Sequence, residues 1–169
     1  MSEASLIREL EALHEKAAAW ALSCCDFDAA DAEDVLQSAY LEILEGRARF
    51  EGRSSARTFL FGMIRRIALS RRRRNLVRAL LLRVRPADAP APQAAPDPER
   101  SLDEERRGAR VREALRGLAR RQREVLELVF FQELTVEEAA SVMEVSVGSA
   151  RVHYARGKER LAAALEGER

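Results

Sequence analysis

The stretch GRSSARTFLFGMIRRIALSRRRRNLVRALLLRVRPA, residues 52 to 87, decides how the rest of the 169-residue chain is read. It carries eleven arginines and no Asp, Glu or Lys, although the whole chain has a formal net charge of only +1. Arginine in place of lysine favours bidentate phosphate contacts and stacking on bases over a diffuse ammonium cloud. Interleaved with the arginines run Phe59, Leu60, Met63, Ile64, Ile67 and Leu69, at the spacing of an amphipathic helix with a buried stripe. A short charge run is ordinarily a solvated helix face. Here the charges are sorted along the chain, because residues 1 to 51 hold twelve acids against four bases. A packed helix whose other face is wholly cationic fits a nucleic-acid surface.

Upstream of this stretch, Leu6, Ile7, Leu10, Leu13, Ala17, Trp20 and Ala21 recur at helical spacing and predict one amphipathic helix from Glu3 to Leu22, with Trp20 as a core anchor. A polar break at Asp26 to Asp31 ends it. The run DAEDVLQSAYLEIL then predicts a second helix, N-capped by Asp31, with Glu33 and Asp34 at the positive end of its dipole. Val35, Leu36, Ala39, Tyr40, Ile43 and Leu44 form its inner side. Glu33, Asp34, Gln37 and Leu41 are left for an outer side that docks on a partner. Gly46 closes this helix, and a loop through Gly52, Ser54 and Ser55 leads to the arginine helix, expected to start near Arg57 or Thr58.

Downstream, PADAPAPQAAPDP puts all five prolines of the chain within residues 86 to 98 and offers no apolar side chain larger than Ala. Such a segment cannot hold a regular helix and reads as an extended linker. It divides the chain into residues 1–83, a linker 84–100 and residues 101–169. The second module opens near Ser101, at capping-box spacing from Glu104, and continues through Val111, Leu115 and Leu118. RQREVLELVFF follows, with Val125, Leu126, Val129 and Phe130 as its core stripe. Thr135 and Glu138 then form a second capping box before the short helix EEAASVM. A turn at Glu144 to Ser146 leads to a last helix, Val147 to Leu165, N-capped by Ser146. Two helices joined by so short a turn, the first carrying small alanines, describe a helix-turn-helix. No acid lies between Glu144 and Glu159, while Ser149, Arg151, His153, Tyr154, Arg156 and Lys158 do; a groove-reading helix needs that one-sided chemistry. Helical hairpins without DNA duties use the same caps, so this element alone leaves both readings open.

The totals agree with an all-α, soluble protein: few aromatics, eight glycines and an excess of Ala, Leu, Arg and Glu. Cys24 and Cys25 are neighbours and cannot staple distant segments, which points to a reducing, cytoplasmic home. They read as small buried residues before they read as a redox pair. His14 and His153 have no metal-ligand spacing to each other or to these thiols, so neither a zinc site nor another cofactor is expected. The N-terminus lacks a basic apolar leader, and no apolar run approaches the ~20 residues that cross a bilayer.

DAEDVLQSAYLEIL, TFLFGMIRRIALSRRRR and LARRQREVLELVFFQELTVEEAASVMEVSVGSARVHYARGKERL together resemble a bacterial RNA polymerase sigma factor of the extracytoplasmic-function, or group IV, type. The likeness spans nearly the whole chain outside the linker and termini, and includes the order of parts: a region-two bundle, a linker and a region-four helix-turn-helix. The resemblance implies that the helix from Asp31 to Leu44 docks on the clamp helices of the largest subunit of core RNA polymerase, through Glu33, Asp34, Gln37, Tyr40 and Leu41. The flap of the second-largest subunit is a further implied partner. It implies that the loop Phe50 to Arg57 and the following helix recognise the minus-ten promoter element and hold it single-stranded. Ser54, Ser55 and Phe59 would receive a flipped base, and Arg53, Arg65, Arg66, Arg71, Arg72, Arg73 and Arg74 would lead the strand to it. In the last helix, Ser149, Arg151, His153 and Arg156 would lie nearest the base edges of a minus-thirty-five element, with Ser146 and Lys158 at phosphates. An anti-sigma factor that covers the polymerase-binding surfaces is implied by the same resemblance.

Some positions depart from the family pattern. Phe59 stands where a Trp is usual before Leu60, Arg66 where Asn is frequent, and Ser70 where an Asp is expected. A guanidinium in place of an amide removes a side chain suited to adenine, so the usual minus-ten preference does not carry over. In the last helix, His153 holds a commonly basic position and Ala150 a small β-branched one. Two function classes follow: a polymerase subunit that confers promoter specificity and has no active site, or a self-standing regulator that binds duplex DNA through its helix-turn-helix. The arginine helix favours the first, since an oligomerisation module has no need of it. An enzyme acting on nucleic acid has little support, because no carboxylate cluster, triad or metal motif accompanies the basic surface.

Overall fold

The computed structural model describes residues 3–82 and 102–167, which consist of helices and turns with no strand among them. They belong to two compact units, each with its own core.

The first unit holds α1 (Glu3–Ala12), α2 (His14–Cys24), α3 (Ala29–Leu44) and α4 (Ala56–Leu81). The single helix expected from Glu3 to Leu22 is two helices. The break falls at Leu13, whose N–H is shared between the carbonyls of Glu9 and Leu10, both at 3.2 Å. That tightened turn redirects the chain, so α1 packs on α4 and α2 packs against both α3 and α4. Apolar periodicity continues through the bend and gives no sign of it. Trp20 is fully buried and donates its indole N–H to the carbonyl of Phe61 at 3.0 Å, with the two rings 6.2 Å apart. Burying such a side chain contributes roughly 3 kcal/mol, and the hydrogen bond fixes the register of α2 on α4.

Asp28, rather than Asp31, caps α3: its carboxylate accepts the backbone N–H of Asp31 at 2.8 Å. Asp31 therefore lies within the first turn and its side chain is available for other contacts. Consecutive left-handed residues, Asp26 (φ 52°) and Phe27 (φ 67°), make the reversal between α2 and α3. Gly46, at φ 69°, ends α3 as expected. Ser55 caps α4, its hydroxyl accepting from Thr58 N at 3.1 Å, so the helix starts at Ala56. The buried face of α4 is Leu60, Phe61, Met63, Ile64 and Ala68, while Phe59, Ile67 and Leu69 are only half-buried.

The second unit holds α5 (Leu102–Arg116), α6 (Arg120–Phe130), α7 (Val136–Met143) and α8 (Val147–Glu166). Residues 84–100 and the expected cap at Ser101 lie outside the described residues. In α6 the inward positions are Val125, Leu126 and Leu128; Phe130, expected in the core, is exposed and Val129 half-buried. α6 packs on α7 and α8, which places Leu128 inward and carries Phe130 past the end of the core. The capping box at α7 is present: Thr135 Oγ1 accepts from Glu138 N at 3.1 Å, and Thr135 N donates to Glu138 Oε2 at 2.8 Å. Glu144, left-handed at φ 54°, makes the turn, and Ser146 caps α8. Ala150 and Gly157 are the buried points of α8, and α5, α6 and the turn between them close over that face through Leu115, Leu126 and Leu118 respectively. A helix-turn-helix of α7 and α8, backed by α5 and α6, results.

Candidate nucleic-acid interface

On the first unit, most of the cationic side chains belong to α4 and to the loop before it. Arg72, Arg73, Arg74 and Arg78 are exposed, and no acid pairs with the last three among the described residues. Arg65 is different: it is only 4% exposed, on the same face as Phe61 and Ala68, and does not offer its guanidinium to a strand. The wholly cationic face expected of this helix is also partly neutralised. Arg71 pairs with Asp34 at 2.7 Å and with Asp31 at 3.1 Å, Arg72 with Asp26 at 2.8 Å, and Arg66 with Glu42 at 3.7 Å. All four acids come from α3 or the turn before it, and their chain separation hid the pairing. Hydrogen bonding to Asp34 raises the pKa of Arg71 further above the ordinary guanidinium range.

The loop before α4 presents an aromatic pair. Phe59 is half-buried and meets Phe50 edge-on with centroids 5.3 Å apart. Fold-back of the loop is what brings Phe50 against the candidate residue Phe59. Ser54 is half-buried beside them in sequence, its hydroxyl directed to the Ser55 carbonyl at 3.3 Å. The Ser55 hydroxyl is committed to the helix cap and to Thr58 Oγ1 at 2.9 Å, so it shapes the entry to α4 rather than standing ready for a base. Arg53 is exposed and pairs with Glu51 at 2.9 Å.

Along α3, Glu33, Asp34, Gln37 and Leu41 are all exposed, Leu41 by 51%. Tyr40 sits apart from them, half-buried, its hydroxyl 3.2 Å from His14 Nδ1 and its ring stacked on that imidazole. Burial raises the pKa of its phenol. Two shallow apolar hollows flank this pair. One is lined by Ala18, Leu22, Ala32 and Leu36, the other by Ile7, Leu10, Ile43 and Leu44.

On the second unit, the candidates on α8 separate into two flanks. With Ala150, Tyr154, Gly157 and Leu161 turned inward, helical geometry puts Arg151 and Lys158 on one side and Ser149, His153 and Arg156 on the other. Between them runs a ridge that charge patterning alone did not single out, Gly148, Val152 and Ala155, all exposed. Apolar side chains there are suited to thymine methyl groups. Arg151 pairs with Glu137 of α7 at 2.8 Å, which holds the Glu137 carboxyl below the usual carboxylate range. Ser146 caps Ser149 N, and the two hydroxyls are 2.9 Å apart. Lys158 Nζ lies 5.3 Å from the Tyr154 ring centre, and Tyr154 stacks on Phe130 at 5.9 Å. Phe130 and Phe131 are each more than half exposed, a patch of apolar surface that calls for cover.

Among the described residues no three His, Cys, Asp or Glu side chains gather as metal ligands, and no helix is long and apolar enough to cross a membrane.

Two family models match the chain in the order of the two units. Residues 9–86 match sigma-70 region 2, and residues 108–161 match sigma-70, region 4. The chain belongs to the sigma-70 family. It is a sigma factor, and directs transcription initiation. The RNA polymerase sigma-H factor of Pseudomonas aeruginosa is 29% identical over 150 residues, which cover 82% of this chain and 75% of that protein. The sigma factor RpoE from Bartonella quintana, solved in complex with the anti-sigma factor NepR, shares the fold with a TM-score of 0.82 at 22% identity, over 98% of this chain and 99% of that one. CnrH, solved with the cytosolic domain of CnrY, matches at a TM-score of 0.65 and 23% identity over 95% of this sigma factor and 88% of that chain.

Proposed function

We propose that this sigma factor works as a member of the extracytoplasmic-function, group IV, type, in the cytoplasm and without an active site of its own. Its α3 face, Glu33, Asp34, Gln37 and Leu41 with Tyr40 at the edge, docks on the clamp helices of the largest polymerase subunit. The Phe50–Phe59 pair and Ser54 receive an extruded base of the minus-ten element, and Arg53, Arg66 and Arg72 to Arg74 carry the strand. Unstacking costs on the order of 1.4 kcal/mol per base step, which capture of one or two bases and attachment to polymerase offset without ATP. On α8, Ser149, His153 and Arg156 on one flank and Arg151 on the other border the Val152 and Ala155 ridge that enters the groove, with Ser146 and Lys158 toward phosphate. Phe130 and Phe131 supply the surface for the flap of the second-largest subunit.

One observation carries this reading. The chain presents two cationic helices, α4 and α8, one on each unit and each backed by a separate core. A self-standing regulator needs only the second. The solved relatives RpoE and CnrH were each captured with a partner, NepR or CnrY, and we extend to this chain an anti-sigma factor that covers the α3 face. Run-off transcription with purified core enzyme tests the reading. Initiation from a cognate promoter is expected; specific duplex binding without any initiation would instead favour the self-standing regulator.

A further inference from the structure

Asp34 and Arg71 were expected on different partners, the first on polymerase and the second on DNA. They are bonded to each other. Arg71 Nη2 donates to Asp34 Oδ2 at 2.7 Å, and Arg71 Nε donates to Asp31 Oδ1 at 3.1 Å. Two carboxylates thus surround one guanidinium and leave a surplus negative charge where a phosphate would have to approach. Two further arginines of α4 are matched in the same way, Arg72 by Asp26 and Arg66 by Glu42, whereas Arg73, Arg74 and Arg78 have no acidic partner among the described residues. The members of the central cluster also differ in reach. The Asp34 side chain is 55% exposed and that of Arg71 33%, so a partner meets the acid first. Asp34 lies on the exposed line of α3 that continues to Gln37 and Leu41.

We propose that Asp31 and Asp34 are an internal competitor for promoter DNA, holding Arg71 until a cationic group of the partner docked on α3 takes Asp34 and frees the guanidinium for phosphate. This rests on the docking and strand-binding roles proposed above for α3 and α4. Polymerase capture and strand capture are then coupled through one side chain, and the free protein is kept from binding DNA at large. The coupling is reciprocal: a strand that takes Arg71 leaves Asp34 open to the partner.

The test uses the full chain and a labelled single-stranded oligonucleotide of mixed sequence, read by anisotropy over a salt series. D31N/D34N keeps shape and one acceptor oxygen on each side chain but removes both charges. It is expected to bind about tenfold tighter than E11Q/E15Q, a charge-matched change at exposed positions of α1 and α2, with a log–log salt slope steeper by ~0.7, one more phosphate contact. Adding R71A should abolish the gain. Alone, R71A should change binding by the free chain less than about twofold, yet weaken promoter binding by the assembled holoenzyme about tenfold. Should D31N/D34N fail to fold, judged by Trp20 fluorescence, D34N alone at its exposed site makes the same comparison with a smaller gain. The inference is overturned if the acid variants bind no tighter than the control, or if R71A weakens the free chain as much as the holoenzyme. Failure of the wild-type chain to initiate with core enzyme would sink the proposed function instead, and the free-chain comparison would still decide this inference.

Discussion

At the scale of single residues, chemistry was legible where it depended on side-chain type and illegible where it depended on what folds over it. Arg65 and Arg66 read alike in the sequence, yet one is buried and the other exposed. Cys25 is a similar case. Burial, with the charge of Asp31 adding to it, pushes its thiol up to about 12 from an ordinary 9.0. The folded protein keeps this proton above pH 9 while the unfolded chain releases it. The unfolded state then binds fewer protons, and the stability this thiol contributes is lost as pH rises from about 9 to about 12. Replacing Cys25 with Ser removes the titration, so the urea midpoint followed by Trp20 fluorescence should fall less steeply through that window; parallel slopes would rule the effect out. Glycines divide in the same way. A Cβ at Gly157 would meet Leu126 Cδ1 at 3.1 Å and Gln122 Cβ at 3.3 Å, both inside the second unit, whereas one at Gly62 would meet nothing within 4 Å. Gly157→Val is expected to cost about 2 kcal/mol by overpacking, and Gly62→Ala to gain up to ~1 kcal/mol of helix propensity, both measurable by denaturant unfolding. On α8, Arg156→Ala should cost ~1–3 kcal/mol on the cognate site and relax the preference at one base pair, while Lys158→Ala should weaken all sequences alike and flatten the salt slope by ~0.9. Binding to a panel of single-base variants distinguishes the two.

Among the elements, boundaries set by local chemistry came through: the Thr135–Glu138 box, the Ser146 cap and the Gly46 stop are each decided within four residues. The bend at Leu13 and the shift of the α3 cap to Asp28 were hidden, because both depend on how α1, α2 and α3 settle on α4. The inward face of α6 was misjudged for the same reason: periodicity fixes a stripe, but only the position of α8 decides which edge of it is covered. α4 shows how far an element can outrun its core. Its buried positions run from Ala56 to Ala68, while Leu76, Val77, Leu80, Leu81 and Leu82 are between 49% and 78% exposed. A helix end without packing depends on propensity alone, which is marginal over so short a length. Amide exchange from Leu76 onward should therefore run far faster than from Leu60 to Ala68 in the free protein. Equal protection along the whole helix would mean that another surface covers its end.

For the whole molecule, the proposed function asks two units, each with its own core, to act on one promoter. Each unit buries its own large side chains, Trp20, Phe61 and Leu60 in one and Leu126, Leu128 and Met143 in the other. Composition predicts a tether at residues 84–100, and charge sorting predicts where each cationic helix lies; neither shows how acids of α3 would temper α4. If both units grip one promoter on one polymerase, the tether acts by keeping the second grip at a high effective concentration once the first is made. Such linkage is worth about 10²–10⁴ in avidity, whereas doubling a flexible tether costs only about 0.6 kcal/mol. Length and continuity should therefore separate cleanly. Inserting a second copy of residues 84–100 should lower run-off initiation by no more than about threefold. Cleaving the chain at a protease site placed in the same segment should leave both fragments folded, with the helical signal intact, and reduce initiation at dilute concentration by about a hundredfold. Raising the concentration of both fragments should restore it. A cut that changed nothing would mean that one unit suffices for initiation, and the second cationic helix would then need another explanation.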